Sequence, residues 1–112
     1  MLVRFRQFRL GDIGISSVVV AELAFGVAKS ASARNRHALK VFLAALEILP
    51  FDEAAVWAYG DLRADLERCG ESIGSLATMI AAHALSLNAL LVSNNSLEFA
   101  KVKGLQLNNW VR

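Results

Sequence analysis

Short apolar runs alternate along this chain with longer stretches of helical period, and that alternation narrows the fold more than any other feature. The run IGISS at 13–17 reads as a buried strand passing into a helix with Ser16 or Ser17 as its cap. That helix spans about 18–29, where Val19, Leu23 and Val27 recur every fourth residue. Ser30 to Arg36 reads as a loop or a fresh helix start, and Leu39, Phe42, Leu43 and Leu46 continue a second helix up to Glu47. ILPF then gives a short strand at the only proline. From Asp52 to Cys69 the apolar positions Ala55, Val56, Tyr59, Leu62 and Leu66 share one helical face, and Gly70 stops it. Ser75 is placed to cap a further helix to Leu87. NALLVSNN is a buried strand ending in polar turn residues, a short helix covers about 96–102, and LQLNNW makes an edge strand. The expected fold is α/β, an α/β/α sandwich around a small, mainly parallel sheet.

The N-terminus fits this scheme least well. Val3, Phe5 and Gln7 alternate with Leu2, Arg4 and Arg6, which suits a strand. A parallel crossover needs a dozen or more residues, so such a strand pairs with IGISS only as an antiparallel hairpin. At 112 residues the chain has room for one domain. Glu22, Glu47, His83 and Asn88 interrupt the most apolar segments, so no run suffices to cross a bilayer, and the arginines among the first ten residues argue against an export signal. Cys69 is the single cysteine, which fits a reducing, cytoplasmic setting.

The net charge of +2 conceals an asymmetry. Residues 1–40 carry Arg4, Arg6, Arg9, Lys29, Arg34, Arg36 and Lys40 against Asp12 and Glu22, whereas the remainder is acidic on balance. A basic patch facing an anionic partner such as nucleic acid is one reading; charges spread over a solvated face is the other.

Glu22 is the most informative charge. Its helical neighbours are Val18, Val19, Phe25 and Gly26, so its carboxylate is either drawn from an apolar face, where it needs a cation or a proton, or simply exposed. Asn94, Asn95 and Glu98 follow NALLVS, beyond the carboxyl end of a strand, where ligands gather in open parallel sheets and oxygen donors suit Mg²⁺. The same residues also fit a capping box, with Asn95 as cap and Glu98 three positions on. Asp61 and Asp65 stand four apart, the spacing of ligands in some helical metal sites, but Arg63, Glu67 and Arg68 around them favour an ordinary solvated face. His83, with no second histidine on its helix, reads as packed and hydrogen-bonded.

Taken in order, these segments resemble VapC-type PIN domains over almost the whole chain. IGISSVVVAELAFGVAKS is similar to their second strand and following helix, and ESIGSLATMIAAHAL to their segment with a glycine, an Asp three residues on and an IAA core. LLVSNNSLEFAKVKGLQLNNW is similar to their last core strand, asparagine turn, Glu-Phe helix start and terminal strand. The resemblance implies a toxin component of a type II toxin–antitoxin system, an Mg²⁺- or Mn²⁺-dependent endoribonuclease; some members cut initiator tRNA. It implies Glu22 as a catalytic residue and metal ligand, Asn95 and Glu98 as further metal ligands, and a cognate antitoxin, RNA and a second copy of the chain as partners.

Two departures accompany it. Nothing here matches the family's first strand with its Asp, so residues 1–112 read as a single PIN-like domain incomplete at its N-terminus. The Asp after the glycine falls on Ala77. The expectation is therefore weak cation binding and weak or absent cleavage, with a non-catalytic module for dimerisation or antitoxin binding as the alternative. By resemblance residues 1–8 are helical, against their own alternation, and IGISS and NALLV are either adjacent or separated by the space of the first strand.

Overall fold

The computed structural model describes residues 2–4, 13–93 and 95–108. Among these, β1 (Leu2–Arg4), β2 (Ile13–Ser16), β3 (Glu47–Leu49), β4 (Leu90–Val92) and β5 (Gln106–Asn108) form one sheet in the order β3-β2-β1-β4-β5. The helices are α1 (Ser17–Ser30), α2 (Ala33–Ala44), α3 (Glu53–Arg68), α4 (Ser75–Ser86) and the single turn α5 (Ser96–Phe99). β3 runs parallel to β2 and β5 parallel to β4, while β1 is antiparallel to both of its neighbours. Four strands therefore share one direction, as expected, and the reversed one lies at the centre.

That central strand corrects two expectations. Leu2–Arg4 is extended rather than helical, and residues 5–8 lie outside the described residues. β2 and β4 are neither adjacent nor separated by a gap. Val3 pairs with Gly14 on one side and Leu91 on the other, so β1 supplies hydrogen-bonding partners to both. The alternation of residues 2–7 was the better guide, because two flanking strands with unpaired backbone groups favour an extended segment between them.

The helix boundaries follow local chemistry. Ser16 Oγ accepts from the Val18 N–H at 3.1 Å, and the Asp52 carboxylate accepts from Ala55 N–H at 3.2 Å, so both helices begin where a capping side chain stands. α3 ends at Arg68, and just beyond it Gly70, with a φ of +67°, permits the Glu71 N–H to donate to the Leu66 carbonyl at 2.8 Å. Several boundaries differ from the sequence reading: α2 stops at Ala44, short of Leu46, and β3 is Glu47–Leu49, without Pro50 and Phe51. α4 takes Gly74 rather than Ser75 as its N-cap, α5 stops at Phe99, and the last strand is Gln106–Asn108, with Asn109 and Trp110 outside the described residues. Gly14 lies inside β2, where an added Cβ would stand 2.7 Å from Leu49 Cδ1 and 3.1 Å from the Glu47 carbonyl oxygen. Only glycine lets β2 and β3 approach this closely.

The core joins Ile15, Leu49 and Leu91 of the sheet to Ala77, Ile80, Ala81 and Ala84 of α4, with Val19, Phe99 and Val102. The small α4 side chains let that helix lie close to the strands, and it is buried at Ala77, Thr78 and continuously from Ile80 to Ala84. α1 buries only Val19, and α2 buries no residue.

Candidate functional site

The carboxyl ends of β2 and β4 present Ser16 and Ser93, both fully buried. Ser16 leads directly into α1 and Ser93 stands three residues before α5, while the start of α4 is tied to α5 through Gly74 and Glu98.

Glu98 and Asn95 are brought together. Asn95 Nδ2 donates to Glu98 Oε1 at 2.7 Å, and Glu98 Oε2 accepts from the Gly74 N–H at 2.8 Å. The expected capping box is not formed. The Asn95 amide bonds the Glu98 carboxylate instead of a backbone N–H, and the Asn95 backbone N–H donates to Ser93 Oγ at 3.0 Å. Glycine at the N-cap of α4 supplies no side-chain acceptor, and Glu98 from another helix accepts from the N–H of the N-cap residue itself. The Gly74 N–H, then the Asn95 amide, hold the Glu98 carboxyl below its ordinary range, with Lys101 adding a little. Nothing local in the sequence signals this bond, since its partners lie 24 residues apart. Asn94 lies outside the described residues.

Glu22 stands on α1 with its side chain exposed. Of the two readings of this residue, the solvent-exposed one holds, because Leu23 and Phe25 beside it are themselves uncovered. Ala77 sits in the first turn of α4 with its methyl group packed in the core. Among the described residues no three His, Cys, Asp or Glu side chains converge as a metal site. A hard divalent cation needs several oxygen donors, and the set Glu22, Asn95 and Glu98 contains two carboxylates, one of them already bonded through both oxygens. These residues do not make a complete cage for such an ion.

The remaining sequence candidates settle into structural roles. His83 is buried, its Nδ1 lies 2.7 Å from Ser16 Oγ, and Phe51 meets its ring edge-on at 5.3 Å. Among the described residues its Nε2 has no hydrogen-bond partner, and burial lowers its pKa against smaller opposing effects of Asp52 and the Pro50 backbone. Asp65 pairs with Arg68 at 2.9 Å and Arg63 with Glu67 at 3.1 Å, all exposed, as an ordinary helical surface. Cys69 is a free, exposed thiol.

Fold and sequence together define the class. The PIN domain model matches residues 3–105, and the chain belongs to the PIN-domain family. Its relatives place it more narrowly, among VapC proteins. It is 46% identical over 99 residues to Ribonuclease VapC2 of Rickettsia felis, covering 88% of this chain and 74% of that protein. It is 39% identical over 101 residues to the tRNA(fMet)-specific endonuclease VapC of Shigella flexneri, covering 89% and 76%. Among solved structures it resembles VapBC2 from Rickettsia felis, bound to a DNA fragment from their promoter, with a TM-score of 0.80, 44% identity and coverage of 87% and 74%. Among the described residues no helix is long and apolar enough to cross a membrane.

Proposed function

We propose that this chain is the VapC-type toxin component of a type II toxin–antitoxin pair, with RNA as its substrate class and ribonuclease activity that is weak or absent. The relatives named above supply the reaction class, since they are ribonucleases and one is specific for tRNA(fMet). The carrying observation is the depleted donor set: a methyl group at Ala77, and a Glu98 carboxylate held by Gly74 and Asn95. Mg²⁺ or Mn²⁺, when bound, would polarise the scissile phosphate and activate water. Here Glu22 would contribute charge from α1, while Asn95 and Glu98 would contribute oxygens from the turn into α5 and from α5 itself. Binding through so few ligands is weak, and cleavage falls with it.

Cleavage of RNA with Mg²⁺, Mn²⁺ or a chelator tests this on the unmodified chain, on Glu22→Ala and on Ala77→Asp. We expect little cleavage by the unmodified chain and a gain on introducing Asp at position 77. Robust cation-dependent cleavage by the unmodified chain that Glu22→Ala abolishes would overturn the depleted-site reading.

A second reading, a non-catalytic module that binds an antitoxin or its own copy, is favoured by exposed apolar side chains. Phe25 is 63% exposed and Trp57 67%, with Leu23, Val41, Phe42 and Val56 also uncovered. Large apolar groups of this kind mark interfaces. No cleavage by any variant, together with a stable complex with the antitoxin encoded beside it, would select this reading.

A further inference from the structure

The α1–α2 hairpin carries a charge pattern that its own stability does not explain. From Leu23 to Leu46 the chain has Lys29, Arg34, Arg36 and Lys40, together with His37, and neither Asp nor Glu. All five of these side chains are exposed, and the two ion pairs found among the described residues both lie on α3. The turn through Ala31, at a left-handed φ of 55°, and Ser32 folds α2 back beside α1. Arg36 consequently lines one shallow cleft with Val27, Ala28 and Ala31 from the end of α1. Lys29 follows directly in sequence, Arg34 opens α2, and Lys40 lies one turn beyond Arg36 on the same face. Lys29, Arg34 and Arg36 therefore stand at or beside the turn between the two helices, with Lys40 one turn further along α2, while Arg4 lies apart on β1.

Placement makes the pattern pointed. Arg34 and Arg36 fall in the first turn of α2, the positive end of the helix dipole, and that turn holds no acid. α3 follows the usual rule, with Glu53 in its first turn and Arg68 in its last. A helix that puts cations at its positive end gives up stability to concentrate positive potential, and such departures from local rules collect at functional surfaces.

We propose that the tip of the α1–α2 hairpin, through Lys29, Arg34, Arg36 and Lys40, is a docking surface for the phosphate backbone of RNA. The inference rests on the reading of this chain as a protein that acts on RNA. Glu22 precedes Lys29 on the same helix by seven residues, about 10 Å along its axis, so a strand held at the tip runs past the candidate site.

The test measures fluorescence anisotropy of a labelled RNA stem-loop against the full chain over a range of salt, in a chelator so that cleavage is not required. Arg34→Ala/Arg36→Ala/Lys40→Ala should lose about tenfold or more in affinity at low salt and flatten the slope of log K against log salt by about 2. Arg63→Ala/Arg68→Ala/Lys101→Ala, which removes equal charge elsewhere, should change both far less. Removing cations from the start of α2 should leave Tm unchanged or raised. If the triple variant nonetheless unfolds, Lys29→Gln/Arg36→Gln gives a smaller change of the same sign. Unchanged affinity and slope in the tip variants would overturn the proposal, as would equal losses in the control variant. Duplex DNA bound as tightly as RNA, and lost equally, would overturn the assignment to RNA. Tip-dependent binding by a chain that also cleaves RNA robustly leaves this docking surface standing while overturning the depleted-site reading. Weak or absent cleavage, with binding indifferent to the tip, does the reverse.

Discussion

α4 and the α1–α2 hairpin have similar apolar content in parts and opposite fates. α4 is enclosed by the sheet and α3, with Ile80, Ala81, Ala82, His83 and Ala84 all buried in succession. The hairpin buries Val19 alone and leaves Leu23, Phe25, Val41 and Phe42 in water. Burial of apolar surface stabilises a fold only where the surface is covered, so α4 holds the domain together while the hairpin displays groups to others. The lesson is that helical period alone shows that a helix has an apolar side, and the partner against which that side packs must come from elsewhere.

Truncation in the two regions is the sharpest way to break this comparison. Leu91→Ala, beneath α4, should cost about 2–5 kcal/mol because it leaves a cavity in the core. Phe42→Ala on α2 should fall within about 0.5 kcal/mol, since its ring is already half in water. Urea unfolding of both variants measures the contrast; equal losses would mean that the hairpin is part of the core.

A smaller effect concerns the joint between the regions around α4. Glu98→Ala leaves the Gly74 N–H without its acceptor, and a lost cap of this kind costs about 1 kcal/mol. Because the folded state holds this carboxyl below the ordinary value of 4.5, its contribution is present above that value and is lost as pH falls through the folded pKa. The stability difference between the unmodified chain and Glu98→Gln should therefore shrink on acidification below about pH 4.5, measured by thermal unfolding across pH. A difference that persists unchanged in acid would separate Glu98 from this capping role.

The smallest expected effect lies inside α4. His83 is held neutral by burial, with a folded pKa below the ordinary 6.5. The unfolded chain then binds the proton more readily, so stability is fullest above that value and declines as pH falls below it. His83→Gln should remove this decline while retaining a group able to bond Ser16 Oγ. A pH profile with the same slope in both proteins would show that the imidazole does not titrate on unfolding.

Much of this was legible from residues near one another in sequence. Ser16, Asp52 and Gly70 marked helix ends because caps act within a few positions. The IGISS and NALLV strands, the ion-paired face of α3 and the packed His83 were read correctly for the same reason: each depends on period or on neighbours one turn away. The family resemblance lay in the order of these local segments.

The rest was decided at long range. Which strand fills the centre of the sheet depended on β2 and β4 having unpaired edges for Leu2–Arg4, a matter of pairing Arg4 with Leu90 across 86 positions of sequence. The acceptor for the Gly74 N–H at the start of α4 came from Glu98, on a different helix. The exposure of Glu22 depended on what covers α1, and its own neighbours could only suggest that something should. Sequence determined the elements, since propensity, capping and period act through bonds within a turn or two. Tertiary structure alone decided their partners, since backbone groups and apolar faces are satisfied by whatever surface the folded chain brings to them.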